Sequence, residues 1–226
     1  MKRADGRKAD EIRPIVMEAG VIPNAKGSAM VRMGNTVAVA AVYGPREMHP
    51  KHKQISDRAN LNTIYAMVPF SCTDRIRPGY SRRSQEICKV TRQALEPAVF
   101  LEDYPKAAID VYINIISANA GTRTAGINAA SLALADAGIP MRDLVASVAT
   151  GKIGNDYVMD LAGKEEEETV CDLPVAYMPK SKQITLLQMD GDLSPEDVKK
   201  VMELAIKGCE KIYKMQKEAL KKRWIK

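Results

Sequence analysis

Histidine and aromatic side chains are scarce in this chain: 226 residues hold two His, one Trp and two Phe, and aromatics make up 5%. A packed core therefore has to rest on Val, Ile, Leu, Ala and Met. The two histidines, His49 and His52, share the segment MHPKHK. A mechanism built on an imidazole base has little to work with, and no third metal ligand stands near the pair, so the segment reads as a solvated basic loop. Cysteine is sparse too. Cys72, Cys88, Cys171 and Cys209 lie far apart and never form C-x-x-C, which excludes a zinc ribbon and fits buried, reduced thiols. No apolar run approaches the ~18 residues of a membrane-spanning helix. The opening MKRADGRKADEIRP carries charge where a secretory signal would be apolar. The expected location is the cytoplasm.

What is present is ordinary globular material, with 46% hydrophobic and 27% charged residues, enough for a real core. The formal net charge is +6, and its distribution says more than its size. Lysines crowd residues 199–226, where they decorate a helix face. Arginines gather elsewhere: Arg75, Arg77, Arg82, Arg83 and Arg92 share one stretch, and Arg123 sits in a Gly/Thr turn. A guanidinium matches phosphate oxygens bidentately, so arginines beside glycines and helix starts point to a polyanionic partner.

Along the chain, residues 12–44 read as a β-meander broken at Gly27 and at Gly34-Asn35. Residues 45–60 form a polar, basic loop, and 61–70 return to a strand pattern. A helix starts after Ser81, a good N-cap, with Ile87, Val90, Ala94 and Leu95 at helical spacing. Residues 108–118 read as a strand. Residues 123–137 form a helix that is apolar on nearly every side and so is buried, ending at Gly138 and Pro140. A second β region spans 143–190, interrupted by the run KEEEE. Ser194-Pro195 then starts a last helix whose apolar stripe is Val198, Val201, Met202, Ala205, Cys209, Ile212 and Met215. The outline is α+β with mixed sheets and buried helices, one domain over 1–226 in two pseudo-halves, 1–140 and 141–226.

Three constellations carry chemistry. Ala120-Gly121-Thr122-Arg123-Thr124 joins a strand to the buried helix. A helix N-terminus exposes unpaired N–H groups, Gly121 lets an anion approach, and Arg123 adds a charged fork; the alternative is a plain capping turn. The spacing is not that of a nucleotide-triphosphate loop. Tyr80-Ser81-Arg82-Arg83 places two arginines at another positive helix end, which an anion, or a carboxylate such as Glu86, must neutralise. Asp172 lies inside an apolar strand, where a carboxylate needs a purpose. With one of the glutamates before it, Asp172 can hold Mg²⁺ or act as a general acid.

The opening R-A-D-G-R, the S-R-R-x-x-E-I helix start, the A-G-T-R-T-A turn and the late D-L-P strand occur in this order. Together they resemble the RNase PH family of phosphorolytic exoribonucleases. AVYGPREMHPKH, PFS, SLALADAGIPMRDL and DLPVAYMP are similar to the catalytic RNase PH-like subunits of archaeal exosomes. The resemblance implies the RNase PH fold, β-α-β-α units in a six-membered ring of three heterodimers with an inactive RNase PH-like partner, capped by RNA-binding subunits. It implies 3′→5′ degradation of RNA by inorganic phosphate with release of nucleoside diphosphates, and RNA tailing in reverse. Gly121, Thr122 and Arg123 match the phosphate-binding turn, Arg83 a second phosphate arginine and Arg82 an RNA-backbone arginine. Asp172 matches the catalytic aspartate. The second acid falls at Glu166, where the family more often has Asp, and Glu165, Glu167 and Glu168 are alternatives; Asp172 and Glu166 are also the metal candidates, for Mg²⁺ or Mn²⁺. Lys51, Lys53 and Arg58 of the basic loop, with Tyr65 as a base-stacking platform, are expected to grip RNA. Two other readings compete: a stand-alone homohexamer trimming tRNA 3′ ends, and a non-catalytic RNA-binding ring subunit.

Overall fold

The computed structural model describes residues 3, 5–79, 81–163 and 165–225, without the side chain of Glu167. Tyr80, which opens one of the motifs above, and Lys164 lie outside the described residues. Alternating small and branched side chains build a first sheet from β1 (Ile15–Ala19), β2 (Gly27–Met33), β3 (Thr36–Glu47), β4 (Asn60–Met67) and β5 (Ala107–Ser117). Its order is β1-β2-β3-β5-β4. Every neighbouring pair is antiparallel except β4 and β5, which run parallel. That parallel pair needs a crossover, and α1 (Arg82–Leu95) supplies it. The second sheet holds β6 (Ala146–Ile153), β7 (Asp156–Met159), β8 (Cys171–Met178), β9 (Gln183–Leu187) and β10 (Asp190–Gly191). Its order is β10-β8-β6-β7, and β9 also pairs with β8.

Two more helices hold the sheets together. α2 (Thr122–Asp136) packs on strands of both sheets, and Ile127, Leu132 and Leu134 are completely buried. Each such side chain contributes about 1.5–3 kcal/mol. α2 also buries Asn128, whose amide donates to the Ser147 carbonyl at 2.8 Å and accepts from the Ser147 amide at 2.8 Å. A polar side chain satisfied in this way fixes the register of helix on sheet. A four-residue helix, α3 (Glu165–Glu168), follows β7. α4 (Pro195–Trp224) closes the chain; Ser194 caps it by accepting from the Asp197 amide at 3.2 Å. One hydrophobic cluster runs through both sheets, α1, α2 and α4.

The meander, both serine caps and the buried second helix follow the sequence pattern. Differences are local. β3 continues through Pro45, Arg46 and Glu47, so the basic loop is shorter than 45–60, and β4 ends at Met67. On α4, Met215 is 38% exposed, while Gly208 and Gln216 are buried. The 201–205–208–212–216 spacing follows a 3.6-residue helix, and Met215 falls off it. Gly208 is small because β6 and β7 approach closely: an added Cβ would sit 3.0 Å from Val148 and from Met159. Cys171 and Cys209 are buried and Cys72 and Cys88 half-buried, and no disulfide joins any of the four. Among the described residues no helix is long and apolar enough to cross a membrane.

Candidate active site

The strand-to-helix turn after β5 is held in an unusual backbone shape. Ala120 and Gly121 both adopt left-handed conformations, with φ of 60° and 65°. For Ala120 this costs about 1–2 kcal/mol, so the surroundings must impose it. The Thr36 hydroxyl donates to the Ala120 carbonyl at 2.7 Å and accepts from the Asn119 amide at 3.0 Å. Arg13 donates to the Asn119 carbonyl at 2.7 Å. Gly121 occupies the N-cap of α2, and no side chain caps this end among the described residues. A Cβ at Gly121 would lie 2.9 Å from the Arg13 guanidinium. Positive φ and this crowding both require glycine here. The result is a 15-residue helix whose first turn has no side-chain cap among the described residues, and a helix end of this kind can bind oxyanions.

This helix end opens into a cavity of about 110 Å³. That is well below the ~300 Å³ at which pockets enclose whole organic ligands, and suits a small anion beside a longer chain. Its polar lining comes in two groups, termed its anion wall and its acid wall: Arg83, Gly121, Thr122 and Arg123 from the starts of α1 and α2, and Glu166, Asp172 and Asp190 from α3, β8 and β10. Arg83 is exposed in the first turn of α1. Arg123 donates to Glu86 at 3.3 Å, and its Nε is buried without a partner among the described residues. Glu86 therefore serves Arg123, not Arg82 or Arg83; it also accepts from Gln188 at 3.1 Å. A half-satisfied guanidinium at a helix start is a donor awaiting an anion.

Across the cavity, Asp172 sits at the second position of β8, and one carboxylate oxygen, Oδ1, is buried without a partner among the described residues. Burial pushes this carboxyl up to about 6; the charges of Glu166 and Asp190 add to the rise, and Arg123 and Arg83 oppose it. Sequence reasoning misses Asp190. It is the β-partner of Asp172 in the β8–β10 pairing, and the available signal is an acid closing the apolar pattern QITLLQMDG. A carboxyl poised near neutrality opposite an anion site has the features of a general acid.

The glutamate run divides sharply. Glu165 is 4% exposed and engaged by Arg3 through two bonds of 2.8 and 2.6 Å, so it does not belong to the cavity. Glu166 lines it. Glu168 is exposed and outside the lining. Among the described residues no group of three or more His, Cys, Asp and Glu is gathered to hold a metal ion. Arg82 is exposed and does not line the cavity, and neither do Lys51, Lys53 and Arg58, all exposed. Tyr65 departs from expectation: it is 3% exposed and its ring packs toward Gly126 of α2. Its side chain alternates onto the core face of β4, so it offers no open ring for a base.

Fold and site together bring a helix N-terminus, two arginines and a carboxyl raised toward neutrality to one cavity. Comparison with known proteins narrows the class. Residues 11–140 match domain 1 of RNase PH, the 3′ exoribonuclease family, and residues 143–208 match its domain 2. The exosome complex component Rrp41 of Pyrococcus abyssi is 56% identical over 225 residues, covering 100% of this chain and 90% of that protein. Rrp41 of Methanopyrus kandleri is 54% identical over 222 residues, 98% and 93% of the two chains. Among solved structures, the Archaeoglobus fulgidus exosome with RNA bound to the active site superposes with a TM-score of 0.82 at 25% identity, covering 93% of this chain and 91% of that one. Rice Rrp46 shares the fold, with a TM-score of 0.85 at 21% identity over 95% and 98%. The chain belongs to the RNase PH family of 3′ exoribonucleases, and its activity is 3′→5′ exoribonucleolytic.

Proposed function

We propose that the chain is the catalytic RNase PH-type subunit of an archaeal-type exosome, and that it removes nucleotides from RNA 3′ ends with inorganic phosphate, releasing nucleoside diphosphates. The observation that carries this reading is the two-walled cavity. One wall has the uncapped start of α2 with Arg83 and Arg123; the other has Asp172, with an oxygen unpartnered among the described residues and a pKa of about 6. Phosphorolysis needs no activated side-chain nucleophile, because phosphate itself attacks. Two anions must then be brought together, and preorganised amides and guanidinium groups offset their repulsion. Gly121, Thr122 and Arg123 receive inorganic phosphate, and Arg83 receives the scissile phosphodiester. Asp172 donates its proton to the departing 3′-oxygen; burial holds that proton in place, and the charges of Glu166 and Asp190 help. Bond consumed and bond formed are similar in energy, so excess nucleoside diphosphate drives tailing.

Asp172 and Glu166 are also the residues that would hold a divalent ion, Mg²⁺ or Mn²⁺; the uncommitted oxygen of Asp172 suits a hard cation, which would neutralise charge at the leaving oxygen. In assembly, the chain alternates with an inactive RNase PH-like partner in a ring of three heterodimers under RNA-binding caps, in the cytoplasm. This part rests on the likeness to exosome components. Labelled RNA incubated with the chain and a candidate partner, with and without phosphate, tests the reading. Nucleoside diphosphates formed only with phosphate are expected. Nucleoside monophosphates formed without phosphate would overturn it.

A further inference from the structure

Arg3 and Arg13 of the N-terminal segment form buried ion pairs with Glu165 and Asp160. Arg13 is 5% exposed and grips Asp160 with two bonds, at 2.7 and 2.9 Å, while a third donor reaches the Asn119 carbonyl at 2.7 Å. Asn119 belongs to the turn that leads into α2. Arg3 is 2% exposed; it grips Glu165 and also donates to the carbonyls of Met159 and Asp160, both at 2.8 Å. Glu165 in turn accepts from the Ala162 amide at 3.0 Å, which ties down the start of α3 and with it Glu166. The two arginines meet at residue 160. Asp160 itself is left-handed, with φ of 58°, which marks a backbone held by its surroundings.

We propose that Arg13 and Arg3 are positioning residues for phosphorolysis: Arg13 sets the phosphate-binding turn, Arg3 sets the acidic wall, and Asp160 registers one wall against the other. This rests on the phosphorolytic reading above. The physical case is geometric. Each guanidinium spends its planar fork on one buried carboxylate and still has donors left for a carbonyl of a catalytic segment, which lysine's single ammonium cannot reproduce. Burial works against both charges of the Arg3–Glu165 pair, and the pairing overcomes it: Arg3 is pushed up and Glu165 held down. Neither arginine lines the cavity, so each acts through the segment it holds.

Replacing either arginine by an apolar residue strands a buried carboxylate and risks unfolding, so the informative variants are Arg13→Lys and Arg3→Lys, which keep the charge and remove the fork. The assay is phosphorolysis of labelled RNA by the full chain with its ring partner, at varied phosphate, with thermal melting followed in parallel. Arg13→Lys is expected to raise the phosphate KM about tenfold with kcat within about twofold, because the lysine ammonium still pairs with Asp160 and the bond given up is the one to the anion turn. Arg3→Lys is expected to lower kcat about tenfold with the phosphate KM within about twofold, because only the acidic wall is displaced. Unchanged kinetics, equal effects on both constants in both variants, or loss of folding in the lysine variants would overturn the proposal. Wild-type turnover without phosphate would overturn the phosphorolytic reading instead, so the two failures are distinguishable.

Discussion

The two walls of the cavity are built by opposite strategies. The anion wall is local: Gly121, Thr122 and Arg123 are consecutive, and their geometry follows from one turn and one helix start. Only Arg83 comes from elsewhere, and it too sits at a helix start, in the first turn of α1. The acid wall is assembled from three elements, β8, α3 and β10, and only strand pairing and a buried ion pair bring Asp172, Glu166 and Asp190 together. Binding an anion needs donors that a helix end provides intrinsically. Poising an acid needs burial and like charges, which no short segment supplies by itself.

The most severe way to break the comparison is to remove the acid. Asp172→Asn should abolish degradation and tailing, a loss of about 10²–10⁴-fold, while RNA binding stays nearly intact in a filter-binding assay. Loss of RNA affinity with preserved turnover would place Asp172 on the binding side. Arg123→Ala attacks the other wall. It should raise the phosphate concentration needed for half-maximal rate by about 10²-fold, with the melting temperature almost unchanged, since the carboxylate it bonds, Glu86, is half exposed. Unfolding with unaltered phosphate dependence would make the turn a structural cap only.

A gentler variant sharpens the contrast. In the proposed mechanism Asp172 acts as proton donor, so its active form is lost as pH rises through about 6. The degradation rate should show that limb in its pH profile. Glu166→Gln removes a like charge, lowers the Asp172 pKa and should move the limb to lower pH, while Glu168→Gln should leave it in place. A limb that stays put in Glu166→Gln would assign the raised pKa to burial and Asp190 instead. The smallest effect is expected outside both walls. Neutralising Lys51, Lys53 and Arg58 together should weaken long RNA and reduce the slope of log affinity against log salt by up to about 2, with little change on a very short RNA. Equal losses on both substrates would show that the loop supports assembly or the site.

Much of this architecture is legible in the amino-acid sequence. Ser81 and Ser194 cap their helices, 122–136 is buried on nearly every face, and the A-G-T-R-T turn stands at a helix start, because each depends on residues within one helical turn of one another. The RNase PH resemblance is legible for a related reason, since its motifs are short and ordered along the chain. Which glutamate of the run meets the cavity is not legible. That is decided by Arg3, which claims Glu165 from 162 residues away and so turns Glu166 toward Asp172. Tyr65 cannot be placed from sequence either, because the side of β4 that faces the core depends on where α2 lies. Glu86 is legible as a partner for the Arg82-Arg83 helix start, but its bond to Arg123 is not, and Asp190 escapes sequence reasoning for the same cause: Arg123 and Asp172 stand on other elements. The sequence by itself determined the helix ends and the glycine turn before α2, properties of neighbouring residues, and through the family resemblance it singled out Asp172. Only the tertiary structure decided which carboxylates share the pocket and how far burial raises Asp172, because desolvation and charge repulsion depend on distances through space rather than along the chain.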